Sequence, residues 1–513
     1  MRLSLGGGLA LLLFPAFAAG AFGLGLSALP ASMIAAALAT LVAGVVSLRL
    51  FLATGFAFAT RRWLAVVAAI ATLGAAAQAI PLTLFMADSN RVEYSMKPDD
   101  LFRTRHSCVS SYVEGARFAS EGSVNIYHSS LYQPRTIGNL QVDAYHYPPP
   151  FLLLPQGLRV LAPDFAKFRA LWFAIQLLVI IAAFVAAAVW ISGVAGATLL
   201  AAGAVILALP GTLFALQQGN FQVSATPLAA IGFALLLAGR LGSGAAILAW
   251  TAIAKIFPGI LIVHLLAARR WRAVAWVAGI GIALLAVTLA VQGMRPTRDF
   301  VTYEMPQISD GRAFPHTELP ATSRVNWTVY GLTVRLRLLG VDAMTQPVGL
   351  TIASIYGILV IGLAALAGWR RPIRIETPSG RLAVLQIAVA LVGLASFRSP
   401  FAGAHYGAFS TLCLLALLAA GTSSYRDARL WMVGMVVYGL AVWSIPSPNV
   451  PATAPWLVVT GVLLVLTVVL NLWVALRAAR ASGSLPGEAG EAGEDATYMV
   501  PGRGAPAASA APL

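Results

Sequence analysis

Long apolar runs separated by short polar connections make up most of the chain. A spanning helix needs about 20 predominantly apolar residues, and runs of this kind predict spans at 4–28, 31–58, 63–87, 168–192, 195–216, 221–239, 272–293, 348–369, 382–398, 404–421, 431–446 and 456–476. The first run follows Arg2 as in a signal peptide, but further apolar runs follow at once, which favours a retained helix. The pattern predicts an all-α polytopic membrane protein with about 11–13 transmembrane helices.

One region, residues 88–167, has a different composition and contains eight of the 19 acidic residues and three of the six histidines. The apolar residues from Tyr112 to Ala119 recur near helical spacing, which predicts an amphipathic helix lying on the membrane. The prolines at 148–150 then stop any helix before a short apolar run. That run fits a re-entrant or interfacial helix, or else a rigid turn that only orients the next span.

The composition divides the chain into four regions. Residues 1–87 form three N-terminal transmembrane helices, and 88–167 form a large first extracytoplasmic loop with amphipathic and re-entrant helices. Residues 168–478 form a multi-helix transmembrane domain. The tail, 479–513, is rich in glycine, alanine, proline and glutamate, which predicts a disordered cytoplasmic segment.

Arginines in the short connections predict the orientation, because short cytoplasmic loops are enriched in Lys and Arg. On this rule the cytoplasmic positions include Arg61, Arg62, Arg240, Arg269, Arg270, Arg272, Arg370, Arg371, Arg426, Arg429, Arg477 and Arg480. Residues 243–267 break the alternation, since basic residues flank the segment on both sides. Pro258 and Gly259 would divide it into two half-helices that enter and leave on the cytoplasmic side. The alternative is a single kinked span beside one misassigned neighbour.

Composition and charge narrow the class of partner. The chain is 59% hydrophobic and 10% charged, with a mean hydropathy of +0.81, whereas soluble domains carry about 25% charged residues. The net charge of +15 comes with only three lysines, and the arginines lie mainly between apolar runs. There is no basic stripe with interleaved aromatic residues, which argues against nucleic acid and for membrane lipids or a lipid phosphate.

Acidic residues are absent from residues 1–87 and from every predicted span. Ion-driven transporters usually place carboxylates within the membrane, so their absence there argues against a pump. If the protein uses a carboxylate base, the base should lie at the extracytoplasmic face.

Three polar features lie within or beside predicted membrane segments. Lys255 needs an anionic partner or water, and a lipid phosphate would satisfy it, although snorkelling to the interface would too. The segment from Gln217 to Asn220 places amides at the membrane edge, or forms only a tight turn. His405 lies near the outer end of a helix, where a lone histidine is more often structural than catalytic.

The order of five motifs carries a family resemblance. In sequence they are YPPP at 147–150, QGN at 218–220, K-x-F-P at 255–258 followed by RRW at 269–271, VNWTVYG at 325–331 with a later Arg335, and SP-x4-HY at 399–406. The set resembles the polytopic GT-C glycosyltransferases, most closely the bacterial polyprenol-phosphate-mannose-dependent α-mannosyltransferases. The resemblance runs from about Tyr112 to Tyr406.

The resemblance implies a sugar transferase of the bacterial inner membrane that works on the extracytoplasmic side. Its donor would be a polyprenyl-phosphate sugar and its acceptor a glycolipid or glycan, with no metal and no other cofactor. An acidic residue of the first large loop would act as base on the acceptor hydroxyl. By motif, the donor phosphate would contact Lys255 and His405, and the pocket would be lined by Gln218, Asn220, Tyr147 and Asn326.

The chain departs from the family pattern at the expected base. The family commonly has Asp-x-x-x-Tyr before the amphipathic helix, and aligning Tyr112 with that tyrosine puts Cys108 at the Asp position. The base would then be one of the nearby residues Asp99, Asp100, His106 and Glu114, or the activity is lost or altered. The alternative function is a non-enzymatic lipid-linked saccharide transporter, or an envelope polysaccharide assembly protein, on the same fold.

Overall fold

The computed structural model describes residues 2–26, 28–40, 62–122, 124–369 and 375–480, and within the helices at either end the side chains of 2–10 and 478–480 are not described. The predicted span 31–58, the arginine pair at 370–371 and the predicted tail therefore lie wholly or partly outside the described residues. Helices dominate the described part, and strands are limited to a few residues, so the predicted all-α polytopic class is confirmed.

The helices of the N-terminal part and of the loop come first. They are α1 (Arg2–Gly23), α2 (Leu29–Thr40), α3 (Arg62–Ala87), α4 (Leu101–Arg105), α5 (Cys108–Glu121) and α6 (Leu153–Leu161). The strands are β1 (His106–Ser107), β2 (Thr136–Ile137) and β3 (Leu140–Val142). Shorter 3-10 helices cover Val92–Tyr94, Ser129–Leu131 and Pro149–Leu152.

The remaining helices build the bundle. They are α7 (Phe165–Ile191), α8 (Gly193–Ala208), α9 (Pro210–Gln218), α10 (Gln222–Leu237), α11 (Leu241–Lys255), α12 (Ile260–Ala267), α13 (Trp271–Gln292), α14 (Met294–Asp299), α15 (Met305–Ser309), α16 (Pro320–Ser323), α17 (Val329–Leu338), α18 (Gln346–Trp369), α19 (Pro378–Ser396), α20 (Ala404–Gly407), α21 (Phe409–Ala420), α22 (Tyr425–Trp443) and α23 (Ala454–Arg480). Two 3-10 helices, Phe257–Gly259 and Pro315–Glu318, and a π-helix, Phe300–Glu304, complete the order.

Among the described residues, six helices are long and apolar enough to cross a membrane: α3, α7, α13, α18, α19 and α23. The α8–α9 pair, bent by 67° at its junction, makes a seventh if it counts as one span. Several other predicted spans are shorter apolar helices, and α10 and α21 are buried almost throughout. The number of spans among the described residues is lower than the expected 11–13 because several predicted spans are apolar helices of 10–17 residues and because the predicted span 31–58 lies partly outside the described residues.

The predicted break near Pro258 is present, and the chain reverses there. Ile256, which follows α11, has a φ of +59°, and the 3-10 turn at Phe257–Gly259 leads into α12. The first turns of α11 and α13 are neighbours, since a Cβ on Gly242 would lie 4.0 Å from the Trp276 ring. The far ends of α11 and α13 both contact the segment around Tyr147. The two helices therefore run in the same direction, and α12 between them runs back.

The described part of region 88–164 packs around buried aromatic residues, in a cluster that also includes Phe168 and Trp172 of α7 and Phe221. Its sheet has the order β1-β3-β2, with β1 parallel and β2 antiparallel to β3. The predicted amphipathic helix is present as α5, but Tyr112, Ala116 and Phe118 are buried among loop aromatics. Its apolar face therefore packs against protein, where a membrane-surface position was expected.

Four buried arginines donate to main-chain carbonyls, and three of these bonds join residues that are far apart in the sequence. Arg169 Nη1 donates to Phe85 O at 2.6 Å, and Arg335 Nη2 donates to Asn326 O at 2.6 Å. The other two reach the segment after α22: Arg103 Nη2 donates to Ile445 O at 2.8 Å and Arg324 Nη1 donates to Pro451 O at 2.7 Å. A guanidinium with several N–H groups can bond carbonyls of different segments at once, so these residues hold loop ends in place.

Candidate active site

Strand pairing brings an imidazole and a carboxylate together. Strands β1 and β3 are parallel, with His106 opposite Gln141 and Ser107 opposite Val142. Asp143 comes two residues after Gln141, so it lies on the same face as His106. His106 Nδ1 lies 3.1 Å from Asp143 Oδ1, and the two side chains are 23% and 25% exposed. The Phe102 ring stacks on His106 at 5.1 Å between centroids. The pair is therefore fixed in orientation and still accessible.

Cys108 lies beside this pair at the start of α5. Its Sγ, one His106 ring nitrogen and one Asp143 oxygen are all within 4.8 Å of one another. Asn220 Nδ2 donates to Cys108 Sγ at 3.5 Å. Gly219 allows this approach: it has a φ of +72°, and a Cβ there would lie 2.2 Å from Val109 Cγ2. The QGN motif thus contacts the residue at the family's expected base position.

The charge state of His106 follows from its neighbours. Burial alone would lower the pKa of His106, but the carboxylate of Asp143 and then the thiol of Cys108 raise it, and the net pKa is well above the ordinary value. The ring is therefore an imidazolium near neutral pH. The carboxylate of Asp143, paired with it, is the group of this pair that can accept a proton.

A chain of hydrogen bonds links Lys255 to the loop. Lys255 Nζ donates to the Tyr147 hydroxyl at 2.8 Å, and the Tyr147 and Tyr112 hydroxyls are 2.8 Å apart. The Phe221 backbone N–H donates to the Tyr112 hydroxyl at 3.3 Å. Among the described residues, Lys255 makes no ion pair with a carboxylate, and Cys108 lies in its surroundings. An ammonium placed in this way is suited to a negatively charged ligand.

Asn326 connects two of the resemblance motifs. Its Nδ2 donates to Pro400 O at 3.0 Å, and its Oδ1 accepts from Thr328 Oγ1 at 2.9 Å and from Ala402 N at 3.3 Å. It also forms an isolated β-bridge with Gly403. Asn326 is fully buried, so its carboxamide positions the 400–406 segment, whereas a pocket-lining role was expected.

That segment places two neighbouring residues in different environments. The Tyr406 hydroxyl lies against the Asn220 side chain and close to Cys108 and Asp143. His405 instead packs edge-on against Phe214, with ring centroids 4.9 Å apart, and its buried Nδ1 has no hydrogen-bond partner within the described protein. Of the two residues, Tyr406 therefore lies beside the cluster of His106, Cys108 and Asp143.

The surroundings of His405 are cationic and aromatic. Arg103 lies over the Phe214 and Trp443 rings, at 4.9 Å and 4.7 Å from their centroids, and Trp443 also packs against His405. Two cationic side chains, Arg103 and Lys97, are therefore close to the His405 ring. A donor phosphate that contacts His405 would therefore lie beside these aromatic rings and Arg103.

The candidate bases are dispersed. Asp100 caps α4 through Arg103 N at 3.2 Å and pairs with the Arg103 guanidinium at 3.4 Å, while Asp99 is exposed. Glu114 is 8% exposed and accepts from Arg117 at 2.8 Å and Arg135 at 2.9 Å. Of these four candidates, only His106 belongs to the cluster of His106, Cys108 and Asp143.

Three of the expected ligand-binding residues lie around Cys108, namely Lys255, Tyr147 and Asn220. A fourth, Gln218, is buried at the end of α9. Sequence analysis did not select Asp143 or Tyr406 for the site. Tyr406 had a signal, because it follows His405 in the same motif. Asp143 had none beyond being one of the loop's acidic residues.

Comparison with known proteins gives one family. Residues 145–400 match glycosyltransferase family 87, a range that contains Tyr147, Asn220, Lys255 and Asn326. No curated protein and no solved structure matches the chain. The match confirms the predicted enzyme class and favours it over the transporter alternative. With its polytopic helical bundle, the chain is a membrane glycosyltransferase that is similar to glycosyltransferase family 87.

Proposed function

We propose that the enzyme moves a mannose-like hexose from a polyprenyl-phosphate sugar to a hydroxyl of a glycolipid or glycan. The reaction would take place at the extracytoplasmic face of a bacterial inner membrane. The observation that carries the proposal is Lys255: its ammonium contacts the Tyr147 hydroxyl at 2.8 Å, has no carboxylate partner among the described residues, and shares its surroundings with Cys108.

A donor phosphate fits this position by charge and by donors. The Lys255 ammonium and the Tyr147 hydroxyl converge on one region, and both can donate to phosphate oxygens. Negative charge grows on the phosphate as it leaves the sugar, so a fixed cation stabilises the transition state more than the ground state. Ile256, next to Lys255, exposes 57% of its surface, which leaves apolar area for the first prenyl units.

The acceptor hydroxyl requires a proton acceptor, and Asp143 supplies it in this proposal. The acceptor oxygen forms a bond to the anomeric carbon, the bond from that carbon to the phosphate oxygen breaks, and the polyprenyl phosphate leaves with the electron pair. The hydroxyl proton passes to the Asp143 carboxylate. His106, 3.1 Å away, holds that carboxylate in place. Asp143 would thus replace the aspartate that the family commonly has at the position of Cys108.

The test uses the purified full chain in liposomes with a radiolabelled polyprenyl-phosphate mannose donor. Transfer to added acceptors and hydrolysis of the donor by water are both measured. We expect Asp143→Asn to lower turnover by about 10²–10⁴-fold while donor binding is kept. The matched control is Glu121→Gln, which should behave as the unmodified protein; Glu121 is an acid of the same loop, is 45% exposed and, among the described residues, pairs with Arg117 alone.

Two results would overturn the proposal. One is near-normal turnover of Asp143→Asn, which would place the base elsewhere. The other is an unmodified protein that neither transfers sugar from a polyprenyl-phosphate donor nor hydrolyses it.

A further inference from the structure

Three side chains of the site offer one nitrogen, one sulfur and one oxygen ligand, provided that the ion displaces the protons of the His106 ring and the Cys108 thiol, as metal binding generally does. The ligand atoms of His106, Cys108 and Asp143 are all within 4.8 Å of one another. In a tetrahedral zinc site the metal–ligand bonds are about 2.0–2.3 Å long, so neighbouring ligands are separated by roughly 3–4 Å. Small side-chain rotations would therefore bring all three onto one ion.

The chemistry of this set selects the class of ion. Imidazole and thiolate are ligands for zinc and similar transition metals, whereas Mg²⁺ and Ca²⁺ prefer oxygen ligands alone. Three protein ligands leave a fourth tetrahedral position open, as in catalytic zinc sites. The thiolate arises only because Cys108 stands where the resembling enzymes commonly have aspartate, so this ligand set belongs to this chain.

The surrounding structure holds the ligands and admits an ion. The β1–β3 pairing fixes His106 and Asp143 in register, and Cys108 is the first residue of α5. Asn220 Nδ2 donates to Cys108 Sγ at 3.5 Å, which is an outer contact of the kind that orients metal ligands. Cys108 is 9% exposed and its two partners are about one-quarter exposed.

We propose that His106, Cys108 and Asp143 bind a divalent ion of the zinc class (Zn²⁺, Co²⁺ or Cd²⁺), and that the bound ion inhibits sugar transfer. Inhibition follows because the ion occupies the Asp143 oxygen that would otherwise take the acceptor proton. This second half rests on the proposed function, whereas the binding half does not.

Binding is tested on the metal-free full chain in detergent by titration with Co²⁺. A thiolate ligand produces a thiolate-to-cobalt charge-transfer absorption, which reports the site without any activity measurement. We expect one Co²⁺ per chain with this absorption, displaced by Zn²⁺. The matched control is Cys413→Ser, because Cys413 is the other cysteine and is buried in α21; it should keep the absorption.

Two variants test the ligands separately. Cys108→Ser should abolish the charge-transfer absorption, and Asp143→Asn should keep it but weaken Co²⁺ binding at least on the order of tenfold. Thermal unfolding of both variants shows whether each is folded. A chain that binds no Co²⁺, or absorption that survives in folded Cys108→Ser, would overturn the metal site.

Inhibition is tested by adding Zn²⁺ to the transfer assay. We expect a loss of turnover that a chelator reverses and that Mg²⁺ does not cause. Turnover that is unchanged or raised by bound Zn²⁺ overturns the inhibitory half. If Co²⁺ binds with the thiolate absorption and no sugar is transferred, the proposed function fails and the metal site stands. If sugar is transferred and no metal binds, the metal site fails and the proposed function stands.

Discussion

Replacing Lys255 with methionine removes the ammonium and keeps an unbranched side chain of similar length. In the structure this ammonium donates to the Tyr147 hydroxyl and makes no ion pair with a carboxylate among the described residues. If it neutralises the donor phosphate, Lys255→Met leaves that charge without a partner. Turnover should then fall and the KM for the donor should rise, because the cation acts on both the bound and the leaving phosphate.

The size of the effect follows from the geometry. Two unit charges about 4 Å apart interact by about 4 kcal/mol at an effective dielectric constant of about 20. Lys255 is half-buried, so solvent screening reduces this to roughly 2–3 kcal/mol. Since about 1.4 kcal/mol is a factor of ten, kcat/KM should fall about 30- to 150-fold.

The assay compares three variants in the same donor-transfer experiment. Lys255→Arg restores the charge but should recover only part of the activity, because a guanidinium is larger and differently hydrated. Tyr147→Phe removes the hydroxyl that Lys255 contacts and keeps the charge. Its effect on kcat/KM should therefore correspond to the loss of one hydrogen bond, about 1 kcal/mol of transition-state stabilisation. Unchanged turnover and donor affinity in folded Lys255→Met would refute the reasoning.

Three further results are expected. Glu114→Gln should leave turnover close to that of the unmodified protein and lower the free energy of unfolding by about 1–3 kcal/mol, since it leaves Arg117 and Arg135 without their buried carboxylate; a large loss of turnover in a folded variant would make Glu114 the base instead. Asn326→Ala should lower the unfolding temperature, measured by thermal unfolding, because it removes the hydrogen bonds that hold the 400–406 segment; an unchanged temperature would contradict that role. In cysteine-labelling with a membrane-impermeant reagent, position 99, which is exposed, should be labelled from outside and position 269 from the cytoplasm only; the opposite pattern would invert the proposed orientation.

Local patterns in the sequence predicted local features. The spacing from Tyr112 to Phe118 predicted the helix that the structure has as α5, and Pro258 with Gly259 predicted the break after α11. Both signals act within one or two turns of the chain, so no knowledge of the partner segments was needed. The same patterns could not show that protein would cover the apolar face of α5.

The composition of the site depends on pairings that are not local. Asp143 reaches His106 only because β1 pairs with β3, and strands of two and three residues are too short for an alternating pattern. For the same reason closeness to Cys108 along the chain favoured Glu114 over Asp143 as a base, although arginines bind Glu114 and the imidazole of His106 binds Asp143.

The bond between Arg103 and the carbonyl of Ile445 joins residues 342 positions apart. A ribosome adds about 5–20 residues per second, so roughly 20–70 s pass between the synthesis of the two. During that interval the Arg103 guanidinium lacks the carbonyl that it bonds in the finished protein, and the same holds for Arg324 and Pro451. The loop that carries His106 therefore reaches its final packing only after α22 has been inserted. A chain that stops before this point keeps the local pair of Arg103 with Asp100 but lacks the carbonyl of Ile445, so the loop is without one of the contacts that fix its final packing.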